Sequence, residues 1–80
     1  KTGFFTIELK VTSSNKIRFS PHQIAFHYKH PKDSYILVKT LVPRAIKLYP
    51  GSAIKELVAY GPTHPPLAEG WDACRLSLEA

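Results

Sequence analysis

The stretch GFFTIELKV, residues 3–11, alternates apolar side chains with others along its whole length. Side chains two apart on a strand share one face, so the pattern predicts a β-strand. The apolar face is expected to lie in the core and consists of Phe5, Ile7, Leu9 and Val11. The opposite face consists of Phe4, Thr6, Glu8 and Lys10. An acid and an amine are thereby directed into one space.

A helix start follows this strand after a polar loop. Ser20 suits the N-cap, Pro21 suits the first helical position, and Gln23 completes a capping box. We expect the helix to end near Lys29, because His30 directly precedes a proline and is biased away from helical geometry. Ser20 is therefore interpreted as a cap and not as a nucleophile.

The next apolar segment is SYILVKTL, residues 34–41. Its β-branched and apolar side chains predict a mostly buried strand, and residues 31–33 supply the turn before it. A strand, a helix and a second strand in this order predict two parallel strands joined by a right-handed crossover. The fold class is therefore α/β, with a central mixed sheet of three to five strands and flanking helices.

The second half of the chain has weaker patterns. A short strand is predicted at residues 45–49. Ser52 is expected to cap a helix that runs to about Tyr60 and stops at Gly61. The side chains of this helix that should face inward are Ile54, Leu57 and Val58.

The C-terminal segment RLSLE, residues 75–79, alternates and predicts a last strand. Trp71 precedes it. We assign Trp71 to the core rather than to base stacking, because so small a domain needs large apolar side chains in its interior.

Length and composition bound the class of protein. With 80 residues the chain makes a single domain, residues 1–80. Apolar residues at 44% and charged residues at 21% are typical of a folded globular protein. Cys74 is the only cysteine, so an intrachain disulfide is excluded. No apolar run approaches the roughly 18 residues of a membrane span. We expect an intracellular protein without membrane contact, located in the cytoplasm or, for a phage protein, in that of the host.

Basic residues are concentrated in one half of the chain. The net charge is +5, and residues 1–40 hold seven of the eleven Lys and Arg but two of the six Asp and Glu. The second half is therefore neutral. A one-sided basic field suits a polyanionic partner, since each neutralised phosphate releases counterions. The alternative is a basic surface that only keeps the protein soluble.

The order of these elements resembles the PD-(D/E)XK nuclease superfamily, particularly its small phage-type, Holliday-junction-resolvase-like and virus-type replication-repair members. Three segments carry the resemblance over about half of the chain, namely GFFTIELK (residues 3–10), SPHQ (20–23) and YILV (35–38). The first contains an E-x-K pair. On a strand this spacing places both side chains in one space. There the carboxylate can bind Mg²⁺ and the ammonium can stabilise a phosphate. An inert ion pair on an exposed strand would give the same pattern.

The resemblance implies an endonuclease that hydrolyses phosphodiester bonds in DNA, as in repair or recombination. Mg²⁺ or Mn²⁺ would be its cofactor, with Glu8 and the backbone carbonyl of Leu9 as ligands. Lys10 would position the attacking water or stabilise developing charge, and Gln23 would support the site or contact DNA. A homodimer would suit the cleavage of paired strands.

One part of the family pattern is absent from the sequence. The family has an acidic residue, usually Asp, on the strand before E-x-K, and none of the seven residues before Glu8 is acidic. Either that Asp lies upstream of Lys1, or Asp33 replaces it in space, or the chain is not a competent nuclease alone. The first explanation is favoured, because the chain contains no methionine. We therefore expect the domain to be incomplete at its N-terminus.

Further basic residues are assigned to DNA. Those that flank the predicted site and could track a phosphate backbone are Lys16, Arg18, Lys29 and Lys32. The alternative function is a non-catalytic nucleic-acid-binding module or a degenerate nuclease. A protein-interaction domain with incidental charge is a third.

Three histidines lie in or beside the predicted helix. His22 is expected near the phosphates because it precedes Gln23. His27 and His30 are three residues apart and would share a helix face. Surface or DNA-facing positions are favoured for these two over a zinc site, because no Cys/His pair with zinc spacing accompanies them.

Overall fold

The computed structural model describes residues 4–79, which form a four-stranded mixed sheet flanked by helices. In chain order the elements are β1 (Thr6–Thr12), α1 (Pro21–Lys29), β2 (Ser34–Leu41), β3 (Arg44–Pro50), α2 (Ile54–Tyr60), β4 (Ala68–Glu69) and α3 (Trp71–Glu79). The strands lie in the order β1-β2-β3-β4. The predicted α/β class is confirmed. In the described part of the chain, no helix combines the length and apolar character needed to cross a membrane.

The first half of the chain has the predicted strand–helix–strand order, although Phe4 and Phe5 precede β1 and do not belong to it. β1 and β2 are parallel, with Glu8 opposite Ile36. α1 connects them and begins with the predicted capping box, in which Ser20 Oγ accepts from the Gln23 N–H at 3.2 Å. The bounds of α1 and β2 agree with the prediction. Gly3, the first residue of the predicted strand, lies outside the described residues.

The predicted strand at residues 45–49 is also confirmed, since β3 spans Arg44–Pro50 and pairs antiparallel with β2. The start of α2 differs from the prediction, because Ser52 lies inside a 3₁₀ turn and its side chain caps nothing. The 3₁₀ turn leads directly into α2. The helix stops at Gly61, whose φ of +63° glycine adopts readily.

The core lies between one face of the sheet and the helices α1 and α2. We call this sheet face the inner face, and the opposite one the outer face. The core cluster consists of Ile17, Ile36, Val38, Tyr49, Ala53, Ile54 and Leu57. Ile54 and Leu57 fit the predicted inward stripe of α2. Val58 was expected there too, but it is 50% exposed, because residues 54 and 57 occupy the side of α2 that meets the sheet.

β1 is turned the opposite way to the prediction. Its charged residues Glu8 and Lys10 lie on the inner face beneath α1, with their side chains about four-fifths buried. The expected core residues Ile7, Leu9 and Val11 lie on the outer face and are 42%, 64% and 57% exposed. The parallel register explains this reversal, because it places Glu8 and Lys10 beside the inner-face residues of β2.

Phe5, the remaining residue of the expected apolar face, is half-buried. Its ring meets Tyr35 edge-on, with centroids 5.6 Å apart. Phe5 is thus partly shielded by a neighbouring side chain.

The C-terminal segment is a helix, so the predicted strand at residues 75–79 is wrong. Gly70, with φ of +92°, turns the chain after the two-residue strand β4, and its carbonyl accepts the Cys74 N–H at 3.0 Å. α3 packs on the outer face, where Cys74 is buried against β3 and β4. Trp71, expected in the core, is 64% exposed at the first position of this helix.

Candidate active site

Lys10 lies at the centre of the candidate site. Its Nζ donates to Gln23 Oε1 at 2.9 Å and lies 3.1 Å from Glu8 Oε2. The same ammonium lies 4.9 Å from the centroid of the Phe19 ring. The structure therefore brings together the three side chains that the sequence assigns to catalysis, Glu8, Lys10 and Gln23.

The capping box that starts α1 also places Gln23. Gln23 Oε1 accepts the Ser20 N–H at 2.9 Å and, from the other side, the Lys10 ammonium. A glutamine at the third position of a helix usually serves only its own cap. Here the cap fixes the amide oxygen where it can also accept a hydrogen bond from Lys10 on β1.

The two oxygens of Glu8 have different surroundings. Oε1 lies 2.8 Å from His27 Nε2. Oε2 is buried and lacks a hydrogen-bond partner among the described residues, although Lys10 Nζ lies 3.1 Å away. The angles at this contact are not those of a hydrogen bond, so we regard it as a charge–charge contact. The lone pairs of Oε2 are therefore not engaged in a hydrogen bond within the described residues.

His27 is a residue of this site that the sequence interpretation missed. Its side chain is fully buried, and Nδ1 lies 2.9 Å from Ser34 Oγ. His30 instead is exposed and lies 3.5 Å from Asp33. The surface position expected for His27 and the shared face with His30 are both wrong. The signal was present, because His27 follows Gln23 by four residues and so lies one turn along the same helix face.

The hydrogen bonds around His27 indicate where its protons lie. The Ser34 hydroxyl donates to the His30 carbonyl, so Ser34 Oγ must accept from Nδ1–H. A proton must also lie between Nε2 and Glu8 Oε1, since two lone pairs would repel at 2.8 Å. The His27 ring thus bridges Ser34 Oγ and Glu8 Oε1.

A cleft of about 430 Å³ opens beside Lys10. Its lining residues are Lys10, Val11, Thr12, Ser13, Ser14, Lys16, Ile17 and Arg18. They include three cations and three hydroxyls but no acid. Hydrogen bonds within the loop fix its shape, since Thr12 Oγ1 donates to the Lys16 carbonyl at 2.7 Å and Ser14 N–H donates to Thr12 Oγ1 at 3.2 Å. This composition suits an anionic ligand.

The remaining residues assigned to DNA divide between the two ends of α1. Lys16 and Arg18 line the cleft, and His22 lies exposed in the first turn of the helix. Lys29 lies in the last turn, about 9 Å farther along the axis than Gln23 at 1.5 Å per residue. Lys32 follows it in the turn before β2. The structure therefore does not bring Lys29 and Lys32 to the cleft.

Oxygen donors for a metal ion are present but few. β1 is an edge strand of the described sheet, and its Thr6 N–H bonds to the Asp33 carbonyl. Alternation along the strand then directs the carbonyl of Leu9 to the open edge. Glu8 Oε2 and Leu9 O suit Mg²⁺ or Mn²⁺, which usually retain several waters and share substrate oxygens. Asp33 pairs with His30 instead. Within residues 4–79, no three His, Cys, Asp or Glu side chains converge.

Comparison with known proteins gives no match, because no family model, no curated protein and no solved structure is similar to this chain. What the site can do therefore follows from its own chemistry. It pairs a carboxylate oxygen that has no hydrogen bond within the described residues with an ammonium that lines a cleft rich in cationic side chains.

Proposed function

We propose that this domain is a metal-dependent endonuclease that hydrolyses phosphodiester bonds in DNA. The position of Lys10 carries the proposal. Its Nζ lies within 3.1 Å of both Glu8 Oε2 and Gln23 Oε1, and the same side chain lines the cationic cleft. It therefore connects a carboxylate that can hold a metal with a surface that can hold phosphate.

Each side chain has a role that its contacts support. An ammonium has three protons. In Lys10, one is donated to Gln23 and one faces Glu8, so the third can reach a phosphate oxygen or a water. Glu8 Oε2 and the Leu9 carbonyl would hold the metal. When bound, Mg²⁺ or Mn²⁺ would lower the pKa of a coordinated water and neutralise charge on the phosphate.

The surroundings of Lys10 support a polymeric substrate. Lys16 and Arg18 extend the positive charge along the cleft. A small phosphate ester would need only the first of these cations, whereas a DNA backbone presents a phosphate at each nucleotide. A homodimer would place two such sites against paired strands.

The experiment is a nicking assay on supercoiled plasmid with Mg²⁺ or Mn²⁺. We expect cleavage by the full chain that EDTA abolishes and that Glu8→Gln or Lys10→Met lowers by about 10²-fold or more. Glu79→Gln is the matched acid-to-amide control in an exposed pair, and Lys55→Met is the matched control outside the cleft. Absence of cleavage on duplex, branched and single-stranded DNA would overturn the proposal.

A non-catalytic DNA-binding module is the second candidate. The observation that favours it is the single carboxylate, Glu8, at the site within the described residues. This function predicts binding that does not depend on metal and weakens steeply with salt. Lys16→Ala and Arg18→Ala should each reduce the slope of log K against log salt by about 1. Binding without cleavage would support this function. Absence of both would leave the third function, a protein-interaction domain with incidental charge.

A further inference from the structure

His27 is the buried group at this site to which the proposed mechanism gives no role. Its side chain is fully buried, and the rings of Phe19 and Phe26 meet it edge-on at centroid distances of 6.5 and 5.5 Å. A ring so enclosed must satisfy both nitrogens within the protein. The two ring nitrogens have these partners in Ser34 and Glu8.

The imidazole is held between two strands. Nδ1 contacts Ser34 Oγ on β2 at 2.9 Å, and Nε2 contacts Glu8 Oε1 on β1 at 2.8 Å. Ser34 is itself fixed, because its hydroxyl donates to the His30 carbonyl and Gly51 packs so closely that a Cβ there would overlap it. Ser34 on β2 thus fixes the position of the His27 ring, and the ring in turn fixes the position of Glu8 Oε1.

We propose that His27 is a positioning residue that holds Glu8 Oε1, so that Oε2 stays turned towards Lys10 with its lone pairs outside any hydrogen bond. A glutamate side chain otherwise has several rotamers, and fixing it costs conformational entropy. Without His27, the carboxylate could rotate and pair through both oxygens with the Lys10 ammonium. The catalytic consequence rests on the proposed function, whereas the orientation of Glu8 does not.

Two substitutions of His27 by an amide residue test its contacts with Glu8 and with Ser34 one at a time. The side-chain amide of His27→Gln reaches about as far as Nε2 and can still donate to Glu8. The amide of His27→Asn reaches about as far as Nδ1 and can contact only Ser34. The two variants bury similar polar groups, so they are matched controls for each other. Urea unfolding of both shows that folded proteins are compared.

The first readout needs no catalysis. It is the NMR ¹³C shift of the Glu8 carboxyl in the metal-free chain. We expect His27→Gln to keep this shift near that of the unsubstituted chain and His27→Asn to move it. If His27→Asn leaves the shift unchanged, the inference is overturned, whether or not the protein cleaves DNA.

The second readout is cleavage with saturating Mg²⁺. We expect kcat to fall about tenfold or more for His27→Asn, with KM for DNA unchanged, and His27→Gln to recover most of the loss. Equal losses in both variants would indicate a merely structural role. Cleavage that is absent from the unsubstituted chain would defeat the proposed function alone, because the carboxyl shift still decides this inference.

A third variant covers the case in which neither amide variant folds. Ser34→Ala removes the partner of Nδ1 and keeps the histidine. Because Ser34 fixes the ring, we expect the Glu8 carboxyl shift to move in this variant. An unchanged shift would overturn the inference.

Discussion

The two faces of β1 show opposite relations between hydrophobicity and burial. On the inner face, Glu8 and Lys10 are about four-fifths buried, whereas on the outer face Leu9 is 64% exposed. Their sequence pattern predicts the reverse. The difference teaches that alternation defines two faces, but the elements that pack on each face decide which one is buried.

The buried charges of the inner face are tolerated because each has a partner. Glu8 contacts His27 and Lys10, and Lys10 donates to Gln23. Without such partners, burial of either charge would strongly destabilise the fold, because the charge would lose its hydration and gain nothing in return. The two partners supplied by α1 are therefore what allows charged residues on this side of the strand.

The largest effect is expected when an isoleucine is replaced by alanine on each of the two faces and the losses in the free energy of unfolding are compared. Ile36→Ala on the inner face should lower the free energy of unfolding by about 2–5 kcal/mol, because Ile36 is fully buried. Ile7→Ala on the outer face should cost less than about 1 kcal/mol, since Ile7 already contacts water. Urea unfolding measures both. If Ile36→Ala does not fold, Ile36→Val, expected to cost about 0.5–1.5 kcal/mol, replaces it. Equal losses would contradict the difference in burial.

Replacing the charged residue of one face by an apolar one, and the apolar residue of the other face by a charged one, tests directly which face of β1 is buried. Glu8→Leu should destabilise the domain by about 1–3 kcal/mol, because it leaves Lys10 and buried His27 without their acid. Leu9→Glu should change stability by no more than about 0.5 kcal/mol at its exposed position. Thermal and urea unfolding report both values. A larger loss for Leu9→Glu than for Glu8→Leu would mean that the outer face is the buried one.

Tyr49, a buried residue of the inner face, predicts a dependence of stability on pH. Burial, aided by Glu69, raises the pKa of Tyr49 to about 12 from the ordinary value of 10.0. The unfolded chain therefore loses this proton first, so the stabilisation is complete below pH 10 and is lost as the pH rises towards 12. The loss is at most about 1.4 kcal/mol per pH unit.

The control for this prediction is Tyr49→Phe. It removes the titrating hydroxyl, which lies 2.9 Å from the His64 carbonyl oxygen, and should cost about 1 kcal/mol at neutral pH. The unsubstituted chain should lose its advantage over this variant between pH 10 and pH 12. A constant difference in the free energy of unfolding across that range would show that Tyr49 titrates normally.

The smallest effect is expected in α3, which packs on the outer face. Arg75 and Glu79 form an exposed pair at 3.2 Å, four residues apart. Glu79→Gln should change the free energy of unfolding by less than about 0.5 kcal/mol, because exposed ion pairs are screened by water and salt. Urea unfolding at low and high salt measures it. A change above 1 kcal/mol would indicate that α3 depends on this pair.

The segments with strong local signals could be predicted from the sequence. The capping box of Ser20 and Gln23, the proline at residue 31 and the β-branched run of β2 each state a preference that nearby residues reinforce. The parallel pairing of β1 and β2 followed, because a crossover helix between two strands permits little else. The grouping of Glu8, Lys10 and Gln23 came only from the family resemblance, because the sequence pattern placed Glu8 and Lys10 on the face away from the core.

Other parts depended on neighbours that local patterns do not reveal. RLSLE alternates like a strand, but Gly70 turns the chain after the two-residue β4, and residues Trp71–Glu79 form α3 on the outer face of the sheet. Trp71 is exposed because it begins that helix. The burial of His27 required knowing that β1 presents Glu8, not Ile7, to α1.

By itself the sequence determined the α/β class, the strand–helix–strand order of the first half and the start of α1, since these follow from side-chain periodicity, capping and proline geometry within a few residues. Only the tertiary structure decided which face of β1 is buried, that His27 joins Ser34 to Glu8, and that Lys16 and Arg18, but not Lys29 and Lys32, lie beside Lys10. The physical reason is that burial and convergence depend on which elements pack together, and those contacts join residues far apart along the chain.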